Sequence, residues 1–388
     1  MKSILYILNQ RIPTEKAYGI QVVKMCEAFA DLGFKVELAT PWRQNPIEGD
    51  IFTYFNVRNN FKHRVLPGID FYLPGKFDSV AVNVKSFLSA LELFFQTVFS
   101  KFDFIYSRDE LPLYLLSFFK HDLCFEAHKF SQKKSFFYRR FKKAGVKLIT
   151  ISEGLKKEFE AFGFDSILVA HDGVDLNEFN ISKSKEDCRS SLQLPQDKKI
   201  IGYVGQLRTM GMEKGIESLI EAYIHLRQSS SNLTMVVVGG SGKDLQAYKN
   251  IIKQKVLSED DILFTGQKEH SMIPMFLKSF DVLTMPFPDT KHYASYMSPL
   301  KLFEYMASGR PIIASNLPTV AEVLNSTNAV LVKPGDSEAL AQGISEILTN
   351  PELAERLSRQ ALQDAQEYSW KKRAQHIIRF ISGAVQIA

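Results

Sequence analysis

Ser298-Pro299-Leu300-Lys301-Leu302-Phe303-Glu304-Tyr305-Met306-Ala307-Ser308-Gly309-Arg310-Pro311 lies between two short apolar runs, 282–285 and 312–314. Ser before Pro is an N-cap signal followed by a favoured first helical residue, so a helix is predicted from Pro299, and Gly309 ends it. Apolar run, capped helix and apolar run make one strand-helix-strand unit, the element from which parallel sheets are built. The helix start follows a strand and a loop. Its free N–H groups, on Leu300 and Lys301 because Pro299 has none, and its positive dipole end form an anion site suited to a diphosphate. Glu304, more than a turn inside, can accept hydrogen bonds from vicinal hydroxyls such as a ribose diol. An ordinary surface helix competes with this reading of the segment alone, since caps are common.

The same alternation extends outward in both directions. After a polar, charged stretch at 180–199, apolar runs at 200–204, 234–238, 262–264, 282–285, 312–314 and 329–332 alternate with helix-period segments. Upstream, strands are expected at 4–8, 35–39, 104–106, 122–126 and 147–151. A helix from about 19 to 32 carries Val22, Met25, Cys26 and Phe29 on one face, with Gly33 as its stop. The expected fold class is α/β, two Rossmann-like doubly wound domains facing across a cleft, with ligand at the carboxyl ends of the sheets. The expected boundaries are 1–180, 181–368, and a C-terminal helix at 369–388 that crosses back to the first domain.

Composition narrows the function classes. The chain has 388 residues and 45% hydrophobic content, enough for two cores. A formal charge of +5 is too mild to argue nucleic-acid binding. Cys26, Cys124 and Cys188 lie far apart, with no zinc-site spacing, which fits packed thiols in a reducing compartment. No run reaches about eighteen uncharged apolar residues, and the N-terminal apolar run reads as a strand rather than a signal peptide. The expectation is a soluble cytoplasmic protein.

Gly202-Tyr203-Val204-Gly205-Gln206-Leu207-Arg208-Thr209-Met210-Gly211-Met212-Glu213-Lys214-Gly215 is a strand running into a loop with two cations. Lys214 falls at the next helix start, a poor place for a lysine unless an anion is near. Arg208 and Lys214 together could neutralise charge on a leaving nucleoside diphosphate, although a simple connection is an equal reading. The turn Val238-Gly239-Gly240-Ser241-Gly242 carries less. In the loop from Asn9, Gly19 would let backbone approach a ligand closely.

Taken with Ile149-Thr150-Ile151-Ser152-Glu153-Gly154-Leu155, His171-Asp172-Gly173-Val174-Asp175 with Phe179, and Tyr368-Ser369-Trp370, these segments make the chain resemble glycosyltransferase family 4, a retaining family of the GT-B fold. The resemblance implies an acceptor-side first domain and a nucleotide-sugar-binding second domain. It implies that Lys214 binds the donor diphosphate and Glu304 the ribose. Ser298, Leu300 and Lys301 at the helix start, with Gly19 and Gln206, join the donor-binding set. It also implies that His128, in Phe125-Glu126-Ala127-His128, points into the cleft near the transferred sugar, so that His128, Arg208 and Lys214 form the catalytic set. This sequence departs from the family in two places. Gln206 stands where an Arg is common, with Arg208 as the substitute cation, and Tyr296 stands where a Glu is common.

No Asp-x-Asp triplet occurs, so no metal and no cofactor is expected beyond the nucleoside-diphosphate sugar itself. Leaving-group charge then falls to cations and helix ends. The reading is retaining transfer from a nucleoside-diphosphate sugar to a hydroxyl on a glycan or lipid-linked acceptor, in glycan or envelope polysaccharide synthesis. Its alternatives are a sugar-nucleotide 2-epimerase of the same fold and a non-catalytic nucleotide-sugar-binding subunit. Segment 129–147, basic and aromatic, is read either as a helix on an anionic membrane at the inner face of the cell membrane or as a helix packing its phenylalanines on the first sheet.

Overall fold

A computed structural model describes residues 1–72, 78–209, 211–240, 242–255, 257–258 and 261–383. Met210 and Ser241 of the two glycine-rich loops, and 384–388 of the expected C-terminal helix, lie outside the described residues. The chain divides into two compact units, Met1–Asp172 with Trp370–Ala388, and Gly173–Ser369. The boundary expected at 180 moves to 172. The Val174 N–H donates to the Tyr368 carbonyl at 2.9 Å, and Phe179 is buried in the second unit's core, so 173–180 fold as part of that unit.

The first unit holds a parallel sheet of strands β1 (Ser3–Ile7), β2 (Lys35–Pro41), β3 (Lys62–Leu66), β4 (Phe104–Ser107), β5 (Leu123–Ala127), β6 (Lys147–Thr150) and β7 (Ile167–Val169), in the order β3-β2-β1-β4-β5-β6-β7. Ile4, Leu5, Tyr6 and Ile7 are all buried, as a strand covered on both faces requires. Strands β3 and β7 go beyond the pattern of apolar runs. Lys62-His63-Arg64 opens β3 with three basic residues, which an edge strand tolerates. Arg64 and Lys62 reach across to Glu37 on β2 at 2.6 and 3.5 Å.

Two helices of this unit pack on each other. Ala17–Asp31 buries Val22, Met25, Cys26 and Phe29 and stops at Gly33, whose φ of +85° suits a residue without Cβ. Trp370–Ile381 buries Trp370, Ala374, Ile377 and Ile381, a helical stripe, and lies against it.

The second unit has its own parallel sheet, formed by β8 (Lys199–Val204), β11 (Leu233–Val238), β12 (Ile262–Gly266), β13 (Val282–Met285), β14 (Ile312–Ser315) and β15 (Val330–Val332), in the order β12-β11-β8-β13-β14-β15. A two-residue hairpin, β9 (Arg208–Thr209) with β10 (Met212–Glu213), sits in the loop after β8. Chain progression reverses between β8 and β13, which is where open α/β sheets form a ligand crevice at their carboxyl ends. These two strands pair only at Ile201 and Gly202 and then part.

The underside of β8 is closely filled. A Cβ on Gly202 would lie 1.9 Å from Phe280 Cδ2, inside the core of the unit. Gly202→Ala should therefore cost about 1–3 kcal/mol by overpacking. Urea unfolding should show a lower midpoint at unchanged slope. An unchanged midpoint would mean that Phe280 moves aside freely.

Candidate functional site

The helix Leu300–Ala307 turns its apolar side into the core through Leu302, Phe303, Tyr305 and Met306 and ends at Ser308, with Gly309 at φ +64°. Its start differs from the expected one. Pro299, not Ser298, is the N-cap, with ψ of 125°, and no side chain caps the turn. The Pro299 carbonyl accepts the first helical bond, from the Leu302 N–H at 2.9 Å. The leading N–H groups are thus those of Leu300 and Lys301. Tyr305 fixes the helix to the sheet, since its hydroxyl donates to the Val204 carbonyl at 3.3 Å or accepts from the Val204 N–H at 2.8 Å, where β8 has left β13.

Lys301 carries the site's least expected feature. Its residue is 8% exposed, and its Nζ lies 3.8 Å from the Tyr203 ring centroid and 5.1 Å from that of Phe287. That amine is buried and has no hydrogen-bond partner among the described residues. Cation–π attraction offsets only part of the several kcal/mol that an uncompensated buried charge costs. Gly205, at φ +136°, is required here because a Cβ would stand 3.0 Å from both Lys301 Cε and Nζ. Burial drives the Lys301 pKa well below the usual lysine value; the charge of Lys214 adds to this and Glu304 opposes it.

Lys214 is the second cation, half-buried, its pKa pushed down to about 8 by loss of solvent. Among the described residues no carboxylate lies within ion-pair distance of it. Two desolvated amines near the open end of a helix are suited to an anion. Lys214 does not begin the next helix as expected. Gly215 is the N-cap, with φ +87° and no room for a Cβ against the Pro286 carbonyl, and the helix is Ile216–Ser229. The anion at that helix start is internal, because Glu213 accepts from the Ile216 N–H and, at 3.4 Å, from the Glu217 N–H.

Arg208 has partners of its own. It ion-pairs with Asp244 at 3.4 Å, donates to the Gly211 carbonyl at 3.1 Å, and is substantially exposed. Lys301 is thus a further cation whose charge Lys214 feels, while Arg208, expected to act with Lys214, is engaged by Asp244 and Gly211. Gln206 is exposed, and its carbonyl accepts from the Tyr203 hydroxyl at 2.9 Å, which pins the loop. Glu304 is nearly buried and lies 3.9 Å from His270, which is also 3.9 Å from Glu178. Burial raises the Glu304 pKa, His270 lowers it, and Glu178 raises it further.

A separate cluster occupies the first unit. The buried Glu126 carboxylate accepts from Gln21 Nε2 at 2.5 Å and His128 Nε2 at 2.7 Å on one oxygen. Its other oxygen takes the Tyr106 hydroxyl and Arg373 Nη2, the latter at 3.0 Å. Burial opposes its ionisation, yet Arg373, ahead of His128 and Arg108, holds its pKa well below the carboxylate range. A carboxylate surrounded by donors requires His128 to carry its proton on Nε2. The ring is neutral, its pKa lowered to about 4 by burial and by Arg108 against the pull of Glu126. Nδ1, without a partner among the described residues, is left as a hydrogen-bond acceptor. Gly19 has a different task from the one expected, because a Cβ there would meet Thr14 Cγ2 at 2.6 Å and Phe55 Cζ at 2.7 Å; the helix start packs on the protein's own loop.

The comparisons with known proteins agree with this architecture. Residues 184–364 match the family described as glycosyl transferases group 1. An uncharacterised glycosyltransferase of Methanocaldococcus jannaschii is 27% identical over 250 residues, 62% of this chain and 60% of that protein. The chain spans about three fifths or less of the length of the curated relatives it matches. Sucrose-phosphate synthase of Thermosynechococcus elongatus superposes with a TM-score of 0.76 at 19% identity, covering 99% of each chain. HepE of Anabaena, solved with UDP and glucose, gives 0.71 at 18% identity, covering 98% of this chain and 99% of that one. These superpositions show the fold, two Rossmann-like α/β units of the GT-B type.

Two measurements test the geometry. A bound diphosphate needs Lys214 protonated. Its pKa of about 8 in the free protein makes loss of its proton weaken affinity for UDP above that pH, by up to about tenfold per unit. Calorimetry should show this weakening, and Lys214→Arg should reduce it; a flat wild-type profile to about pH 9.5 would contradict the assignment. For His128, nitrogen NMR at neutral pH should report a protonated Nε2 and a bare Nδ1. The opposite tautomer would contradict the hydrogen-bond assignment around Glu126.

Proposed function

We propose, for a chain whose residues 184–364 match the glycosyl transferases group 1 family, retaining transfer of a sugar from a nucleoside diphosphate to a hydroxyl acceptor. The observation that carries this reading is the buried, partnerless ammonium of Lys301 beside Lys214, at the open end of the Leu300–Ala307 helix. The Leu300 and Lys301 N–H groups and the two amines take the diphosphate. Glu304 accepts hydrogen bonds from the ribose diol. As the bond between the anomeric carbon and the diphosphate oxygen breaks, negative charge grows on that oxygen, and preorganised cations stabilise it. The acceptor oxygen bonds to the anomeric carbon on the same face, and its proton passes to the departing phosphate oxygen. In the first unit, His128 Nδ1 accepts from a ligand hydroxyl.

Metal independence belongs to this reading, because Lys301 and Lys214 stand where a metal would otherwise meet the charge. Uridine is the base to try first, since HepE was solved with UDP. The proposed setting is envelope or other glycan synthesis on the cytoplasmic side, with a glycan or lipid-linked acceptor.

Lys301→Met tests the reading with two readouts of opposite sign. Turnover should fall by about a hundred- to a thousandfold. Thermal stability without ligand should hold or rise, because an uncompensated buried charge is replaced by an apolar chain of similar length. The glycosylated product, identified from a panel of nucleoside-diphosphate sugars, should keep the donor's anomeric configuration in excess chelator. An epimerised donor, binding without turnover, an inverted product, or wild-type turnover in Lys301→Met would each overturn it.

A further inference from the structure

We propose that the first unit docks on an anionic lipid bilayer through an aromatic patch built from three of its helices. All five exposed phenylalanines that follow Phe87 in the described residues lie there. Phe95 and Phe99, at and just beyond the end of Asp78–Thr97, are 63% and 89% exposed. Phe118 and Phe119, after Glu110–Leu116, are 53% and 64% exposed, and Phe136 on Ser135–Lys143 is 50% exposed.

The rings fall into two groups that meet at the consecutive residues Phe118 and Phe119. Phe94 touches both Phe95 and Phe119, with centroids 5.2 and 5.4 Å away. Tyr114 joins Phe118 at 5.3 Å to Phe136 at 5.7 Å. Lys120 Nζ donates to the Ser100 carbonyl at 2.7 Å, holding the two chain turns together. Single exposed apolar residues are ordinary, whereas a contiguous patch marks an interaction surface.

The structure also corrects how segment 129–147 contributes. Phe137, Tyr138 and Phe141 are buried in their own unit, where Tyr138 and Phe141 pack on Phe125. The helix therefore has no free apolar side of its own to lay on lipid. Its neighbours supply the apolar contact and it supplies charge. The segment has eight Lys and Arg and no Asp or Glu, and Lys133, Arg139, Lys142 and Lys143 are exposed. Arg140 is the link between the two features: its guanidinium stacks 4.1 Å from the Phe118 centroid while Nε donates to Ser117 Oγ at 2.9 Å.

Charge selects the occupant. A second copy meeting this face would bring cations against cations, which is unfavourable. Anionic headgroups over an apolar layer satisfy both the rings and the cations. Among the described residues no helix is long and apolar enough to cross a membrane, so the contact is superficial.

The test is sedimentation of the full chain with vesicles of phosphatidylcholine, with or without phosphatidylglycerol. Wild type should bind the anionic vesicles at least about tenfold more tightly than the neutral ones, and less so at high salt. Two combined variants, Phe95→Ser/Phe99→Ser/Phe119→Ser and Lys133→Gln/Arg139→Gln/Lys142→Gln/Lys143→Gln, should each lose binding by about tenfold or more while melting as wild type does. UDP affinity, which belongs to the second unit, should stay unchanged in both, so failure here is distinguishable from failure of the donor site. Equal partitioning of wild type and the aromatic variant would overturn the proposal. So would a concentration-dependent dimer in analytical ultracentrifugation that the aromatic substitutions abolish, since that would assign the face to a second copy.

Discussion

One buried hydroxyl sets the geometry of the second unit's site. Strands β8 and β13 separate after Gly202, which leaves the Val204 backbone without a strand neighbour on that side. The Tyr305 hydroxyl fills the gap. A buried N–H left unmade would cost about 1–3 kcal/mol, so the contact is held firmly. Lys301 lies four residues earlier, on the same side of the helix, and is thereby delivered over the Tyr203 ring beneath Gly205. The separation that opens the crevice and the contact that places its cation are two consequences of the same divergence.

The two units treat buried charge in opposite ways. Glu126 is surrounded by Gln21, His128, Tyr106 and Arg373, and Arg373 also donates to the His171 carbonyl at 2.7 Å. That charge is spent on position, since it decides which nitrogen of His128 is bare. Lys301, by contrast, is desolvated and has no hydrogen-bond partner among the described residues. Such an arrangement costs stability and persists where a ligand supplies the missing charge.

Legibility from sequence followed the range of the interaction. Strands β8, β11, β13 and β14 are continuous apolar runs and could be read directly, because both faces of a central parallel strand are buried. The basic edge strand β3 could not, its pattern being set by pairing on one side and by Glu37. Lys214, Glu304 and His128 entered as candidates through motif position. The Lys301 ammonium was not, because its importance arises from Tyr203 and Phe287, which lie on other elements. Glu126 and Arg373 meet only once the last helix packs on the first unit, and local patterning is silent on that. Gly19 illustrates the reverse error, since a glycine that reads as room for ligand is instead filled by Thr14 and Phe55.

The amines of Lys301 and Lys214, with the first N–H groups of the Leu300–Ala307 helix, are proposed to form the diphosphate site. A crystal structure of the full chain with UDP tests it most directly. The account predicts phosphate oxygens within hydrogen-bond distance of Lys301 Nζ, Lys214 Nζ and the Leu300 or Lys301 N–H, with the ribose hydroxyls on Glu304. UDP bound elsewhere, with Lys301 still partnerless against Tyr203, would contradict it.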